Sequence, residues 1–198
     1  LKKDLEKPST EAYFEIVALR QELKLAQKNL KDWMRPKKVS VPLAIKPGTA
    51  TLNYEPLGCV LIIGPWNYPF SLTLQPLISA LAAGNTAVLK PSEHSINTSE
   101  LIAKIFPKYF PDNIVKVIEG NGSIAENLIS KSFDHIFFTG GGEIGKKVMK
   151  GAAENLTPIT LELGGKSPVL VLEGADLRIT AQRIIWGKCL NAGQTCIA

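Results

Sequence analysis

The sequence predicts an α/β protein built on a doubly wound, Rossmann-like parallel sheet, preceded by an N-terminal helix and a β-hairpin arm. Three observations predict it. From Cys59 onward, short β-rich runs alternate with helical stretches. That alternation favours parallel strands with helices on both faces. Glycine-rich or charged turns fall just after these runs, where ligands of open α/β sheets sit. The composition is that of an ordinary globular chain, 45% hydrophobic and 21% charged over 198 residues.

Taken in order, residues 10–35 read as one helix. Tyr13, Ile16, Val17, Leu23, Leu25 and Leu30 recur near helical spacing, Ser9 and Thr10 are cap candidates, and Pro36 ends the run. Residues 39–45 and 49–54 read as two strands joined by the turn signal Lys46-Pro47-Gly48. Such a hairpin needs a surface to lie against. The sheet strands are expected at 59–63, 86–89, 114–118, 135–138, 159–163 and 169–172. Helices are expected near 70–83, 97–107, 123–131, 143–155 and 176–190. This divides the chain into an arm over 1–56, a nucleotide-type sheet domain over 57–164, and the start of a second α/β domain over 165–198.

Charge and cysteines narrow the class. Residues 1–50 hold 11 Lys and Arg against 6 Asp and Glu, while residues 51–198 balance at 12 against 12. The excess therefore lies around one amphipathic helix. That favours a solvated face over a nucleic-acid surface, so no nucleic-acid partner is expected. No apolar run is long enough to span a bilayer, and no secretory signal is visible behind Leu1. Cys59, Cys189 and Cys196 cannot form a disulfide framework, which points to a reducing, cytoplasmic setting. Cys59 and Cys189 fit the pattern of small buried hydrophobes, whereas Cys196 follows a polar Gly-Gln-Thr loop.

Five segments carry chemistry. Phe138-Thr139-Gly140-Gly141-Gly142-Glu143-Ile144-Gly145 leaves a strand and opens a helix, where glycines and free N–H groups let a phosphate approach. The spacing is not that of a standard dinucleotide fingerprint, and a plain turn is the competing reading. Lys90-Pro91-Ser92-Glu93 ends another strand, with a cation and a carboxylate that suit ribose hydroxyls or merely a helix start. Glu162 stands among apolar neighbours in Thr160-Leu161-Glu162-Leu163-Gly164-Gly165-Lys166. Burial there would raise its pKa toward that of a general base, and an ion pair with Lys166 is the structural alternative. Pro65-Trp66-Asn67-Tyr68-Pro69 makes a rigid bend whose Asn67 amide can donate to an oxyanion or serve only its turn. Asn191-Ala192-Gly193-Gln194-Thr195-Cys196 presents a thiol near the last residue.

Together these motifs resemble the aldehyde dehydrogenase superfamily, where Trp-Asn-Tyr-Pro, Lys-Pro-Ser-Glu, Phe-Thr-Gly, Glu-Leu-Gly-Gly-Lys and Gly-Gln-Thr-Cys occur in this order. The separations agree, with Glu162 34 residues and Asn67 129 residues before Cys196. Residues 10 to 198 follow the pattern. Trp-Asn-Tyr-Pro-Phe and Leu-Thr-Pro-Ile-Thr-Leu-Glu look most like the class 3 and fatty-aldehyde branch.

The resemblance implies NAD- or NADP-dependent oxidation of an aldehyde to a carboxylic acid. Cys196 would be the nucleophile, Asn67 the oxyanion donor and Glu162 the base that hydrolyses the thioester. Lys90 and Glu93 would hold the adenosine ribose. Trp66, Thr139, Gly140, Gly145 and Leu163 would complete the cofactor contacts. Glu93 should repel a 2′-phosphate and so favour NAD, although the class 3 branch tolerates NADP too. Gly141 departs from the serine common at that place. The family is longer than 198 residues, so this chain reads as a piece lacking most of its catalytic domain, inactive alone, from a protein that pairs as a homodimer. A pure nucleotide-binding module is the alternative; it would not need Asn67, Glu162 and Cys196 together.

Overall fold

A computed structural model describes residues 1–198. A short helix, α1 (Lys2–Leu5), precedes the long helix α2 (Ser9–Trp33). No side chain caps α2; Pro8 occupies its cap position, so neither Ser9 nor Thr10 plays the expected part. The expected apolar stripe is also not what α2 buries. Tyr13, Ile16, Leu23 and Leu25 are exposed, while Glu15, Leu19 and Ala26 face inward. These inward residues recur at helical spacing, but the first is charged, and hydropathy alone passes over it.

The hairpin arm is shorter than its sequence suggests. Strands β1 (Lys37–Val39) and β2 (Ala50–Leu52) pair antiparallel, with Lys38 opposite Thr51. Residues Leu43–Ile45, expected as strand, form a single 3₁₀ turn instead. All three β1 residues are exposed, so the arm lies against nothing in this chain.

The main sheet has five parallel strands: β3 (Cys59–Ile63), β4 (Thr86–Lys90), β5 (Val115–Val117), β6 (His135–Gly140) and β7 (Ile159–Leu163). Their order is β5-β4-β3-β6-β7. The chain therefore winds outward from β3 in one direction and restarts from β3 in the other, which makes the β3–β6 junction the switch point. The crossover helices are α3 (Ser71–Ala82), α4 (Ile96–Ile105), α5 (Gly122–Ile129) and α6 (Gly142–Ala153).

Alternation along the central strands explains the two cores. Val60 and Ile62 join Leu19, Leu74, Leu77, Leu89 and Ile102 in one cluster. Leu61 and Ile63 point the other way, to Leu128, Ile129, Ile136, Phe138 and Val148. Side chains that alternate in direction yet are all apolar mark a strand covered on both sides.

Beyond β7 the packing thins. Residues 169–172, expected as a sixth strand, pair with nothing, and Val169, Leu170, Val171 and Leu172 are exposed. An apolar run has strand propensity, but a strand exists only where a neighbour takes its hydrogen bonds. Helix α7 (Leu177–Cys189) follows, capped by Asp176, which accepts from the Ile179 N–H at 3.0 Å. Cys189, expected as a buried apolar residue, is exposed on it. No helix is long and apolar enough to cross a membrane.

Candidate active site

One cleft of about 830 Å³ lies beyond the carboxyl ends of β3, β4, β6 and β7. It is lined by Trp66, Asn67, Lys90, Glu93, Thr139, Gly140, Glu162, Leu163 and Cys196, nine of the ten residues singled out in the sequence. The switch point at β3–β6 opens its floor, as the winding requires. Residues from five stretches far apart along the chain meet here, four of them because parallel strands all deliver their C-termini to one edge.

Gly145 is the exception. It is buried on α6, and a Cβ there would lie 2.9 Å from Leu163 Cδ2. The missing Cβ lets α6 sit against Leu163. Gly140 is also tight, since a Cβ would fall 2.5 Å from the Phe138 ring. Gly141 and Gly142 face open space. No side chain caps α6, so its first N–H groups open to the cleft. The sheet end, the uncapped helix and the unobstructed glycines fit the phosphates of a dinucleotide.

At the end of β4, Lys90 is 1% exposed. Its Nζ donates to the Pro91 carbonyl at 3.0 Å and to Glu93 Oε2 at 2.7 Å. Partial burial pushes the Glu93 carboxyl up, but the hydrogen bond from Lys90, its own backbone N–H and the Lys90 charge outweigh that and hold it below the usual carboxylate range. The pair is therefore an ionised acceptor and donor fixed side by side, suited to vicinal hydroxyls.

Glu162 differs from expectation. It is exposed on the cleft wall, not buried among apolar neighbours, and it forms no ion pair with Lys166. The flanking Leu161 and Leu163 share the opposite face of the strand, so apolar neighbours in sequence are not neighbours in space.

The segment before Cys196 is tightly tied. Asn191, Ala192 and Gly193 all have positive φ, at 54°, 53° and 78°. Two consecutive non-glycine residues in this region are strained, and the surroundings must over-determine them. The ties are visible. Asn191 N–H donates to Glu11 Oε2 at 3.0 Å, and Asn191 Nδ2 donates to the carbonyls of Asn67 at 2.9 Å and Gln194 at 3.0 Å. Asn67 Nδ2 donates to the Gln194 carbonyl at 2.8 Å. The Tyr68 hydroxyl and Thr195 Oγ1 lie 2.8 Å apart. Burial raises the Tyr68 phenol pKa; the Thr195 bond opposes this, while Glu11, Glu15 and Cys196 add to it. Asn67 and the thiol loop are thus one hydrogen-bonded unit, and the second Nδ2 hydrogen of Asn67 stays free to donate.

Sequence reasoning missed the supports: Lys7, Glu11, Glu15, Asn191 and Tyr68. Lys7 and Glu15 are 3% and 2% exposed and pair at 2.7 Å. A charged residue at an inward helical position was the signal available for Glu15. Lys7 carries no such sign, because it lies outside any periodic run.

A thiol, an amide and a carboxylate thus line one dinucleotide-type cleft at the carboxyl edge of a doubly wound sheet. The aldehyde dehydrogenase family model matches residues 1–198, and the chain belongs to that family. Aldehyde dehydrogenase family 3 member B1 of Bos taurus is 46% identical over 199 residues, covering 100% of this chain and 42% of its own length. The dimeric NADP-preferring aldehyde dehydrogenase of Rattus norvegicus is 45% identical, covering 100% and 44%. Among solved structures, the substrate-bound state of Staphylococcus aureus AldH matches with a TM-score of 0.96 at 46% identity, covering 99% of this chain and 43% of that one. The chain spans about two-fifths of the length of these relatives. The family 3 membership of the Bos taurus relative, shared by family 3 member A2 of Macaca fascicularis at 47% identity, agrees with the branch that the motifs resemble.

Proposed function

We propose that the complete protein oxidises an aldehyde to a carboxylic acid through a covalent intermediate on Cys196. The observation that carries this reading is the convergence of Cys196, Asn67 and Glu162 on one cleft, across 129 residues of chain. The Cys196 thiolate adds to the carbonyl carbon, forming a C–S bond and an oxyanion. The free Asn67 Nδ2 hydrogen and the Cys196 N–H donate to that oxyanion. Lys90, Glu93 and the 140–142 turn would hold a nicotinamide dinucleotide, which when bound would supply the acceptor for the hydride lost as the Cys196 adduct becomes a thioester. Glu162 then takes a proton from water, whose oxygen displaces the Cys196 sulfur and releases the acid.

An exposed Glu162 suits this last step, because the base must reach water in an open cleft. Glu93 would sit beside the adenosine ribose and repel a 2′-phosphate, so NAD is the preferred cofactor. A relative named as NADP-preferring, from Rattus norvegicus, supports NADP as the second choice. One relative named as dimeric and the solvent-facing hairpin support a homodimer for the complete protein.

The test is kinetic. In the complete protein, Cys196→Ala should abolish aldehyde-dependent NADH formation while leaving NAD binding intact. Undiminished turnover in that variant would refute the assignment.

A further inference from the structure

The Asn67 carbonyl accepts two hydrogen bonds, both at 2.9 Å: one from Asn191 Nδ2 on the thiol loop and one from Lys7 Nζ on the N-terminal segment. Both of its acceptor sites are therefore filled. Lys7 also pairs with Glu15 Oε1 at 2.7 Å and lies 4.3 Å from the centre of the Tyr68 ring. The other Glu15 oxygen accepts from the N–H groups of Phe70 at 3.1 Å and Ser71 at 3.0 Å, and from Ser71 Oγ at 3.3 Å. Lys7 and Glu15 thus grip the Asn67–Ser71 segment at both ends, from elements that contribute nothing to the cleft lining.

A buried ion pair is an expensive way merely to hold a helix, since apolar replacements often stabilise as well. What it provides here is geometry. Its donors and acceptors fix the backbone from the Asn67 carbonyl to the Ser71 N–H, and that restrains where the Asn67 side chain can put its free hydrogen. We propose that Lys7 and Glu15 are positioning residues for the oxyanion donor, acting through the backbone of residues 67–71 and not on substrate. The proposal rests on the reading of Asn67 given above.

Because loss of one partner strands a buried charge, the informative variant is the double change Lys7→Met/Glu15→Gln, which removes both charges at similar volume. Lys7→Arg keeps the charge but not the point geometry of an ammonium. In the complete protein three quantities are read for each: the NAD dissociation constant, the rate of Cys196 alkylation by iodoacetamide, and the rate of the first NADH burst. The expected result is a burst slowed at least tenfold in the double variant, with cofactor affinity and alkylation rate within twofold of the parent, and partial recovery in Lys7→Arg. General loosening would instead move all three together, and that outcome overturns the proposal. A normal burst in the double variant also overturns it. Asn67→Ala run alongside separates the two readings: if it bursts slowly while the double variant is normal, only the positioning role fails. If Asn67→Ala itself bursts normally, the oxyanion assignment fails and the positioning role goes with it.

Discussion

At the scale of single residues, the Lys90–Glu93 pair makes the sharpest statement about pH and cofactor choice. Glu93 titrates below the ordinary carboxylate range, so its ion pair stabilises the fold above that range. The contribution fades only as pH falls through the lowered value. Glu93→Gln should therefore flatten the acid limb of a plot of thermal midpoint against pH below the ordinary carboxylate value. An unchanged limb would mean that the pair is not formed in solution. The same variant removes the charge facing a 2′-phosphate, so the ratio of NADP to NAD affinity should rise, as measured by fluorescence titration of both cofactors. Which residues would line the site was legible in the sequence, because strand ends and motif order indicate it. Their surroundings were not. Glu162 is exposed because strand alternation places Leu161 and Leu163 elsewhere, and Gly145 serves helix packing because Leu163 folds over it.

At the scale of elements, the N-terminal segment is tied to the sheet domain by polar contacts that hydropathy does not reveal. Asp4 Oδ1 accepts from the N–H and Nδ2 of Asn97, and its Oδ2 accepts from the N–H and Oγ1 of Thr98, all within 2.6–2.9 Å. Helix α4 has no cap of its own at Ser95, so Asp4 caps it from a distance. Burial pushes the Asp4 carboxyl up, but the Thr98 and Asn97 hydrogen bonds prevail and keep it below its ordinary value. Asp4→Ala should cost about 1 kcal/mol, the usual worth of a cap, in urea unfolding at neutral pH. That loss should shrink as pH falls through the lowered Asp4 value, where the parent loses the same interaction. A second element-scale constraint sits at the end of β3. A Cβ on Gly64 would fall 1.9 Å from Thr73 Oγ1 and 2.9 Å from Thr73 Cβ. Gly64→Ala must push α3 away from the bend that carries Asn67, at a cost of roughly 1–3 kcal/mol. A cost near zero in the same assay would contradict the packing described.

At the scale of the whole molecule, stability is distributed unevenly. The central strands are covered on both faces, with Leu61 and Ile136 fully buried, whereas residues 169–172 make no ladder. Native-state hydrogen exchange on the 198-residue chain should find the amides of Leu61, Ile62 and Ile136 slowest and those of 169–172 unprotected. Protection across 169–172 would place a strand there after all. The sheet was legible because five strands with turns at their ends leave few other arrangements. The sixth was not, since propensity does not say whether a neighbour is present to pair with. The hairpin was overestimated for the same reason, Leu43–Ile45 having no partner. The central claim joins all three scales: a sheet edge brings together a thiol, an amide and a carboxylate that act in sequence. Its most direct test is mass spectrometry of Glu162→Gln in the complete protein, quenched after mixing with NAD and an aldehyde. The account predicts one acyl group on the peptide containing Cys196, formed with one equivalent of NADH per site and persisting after quenching. An unmodified Cys196 peptide, with NADH still formed, would contradict it.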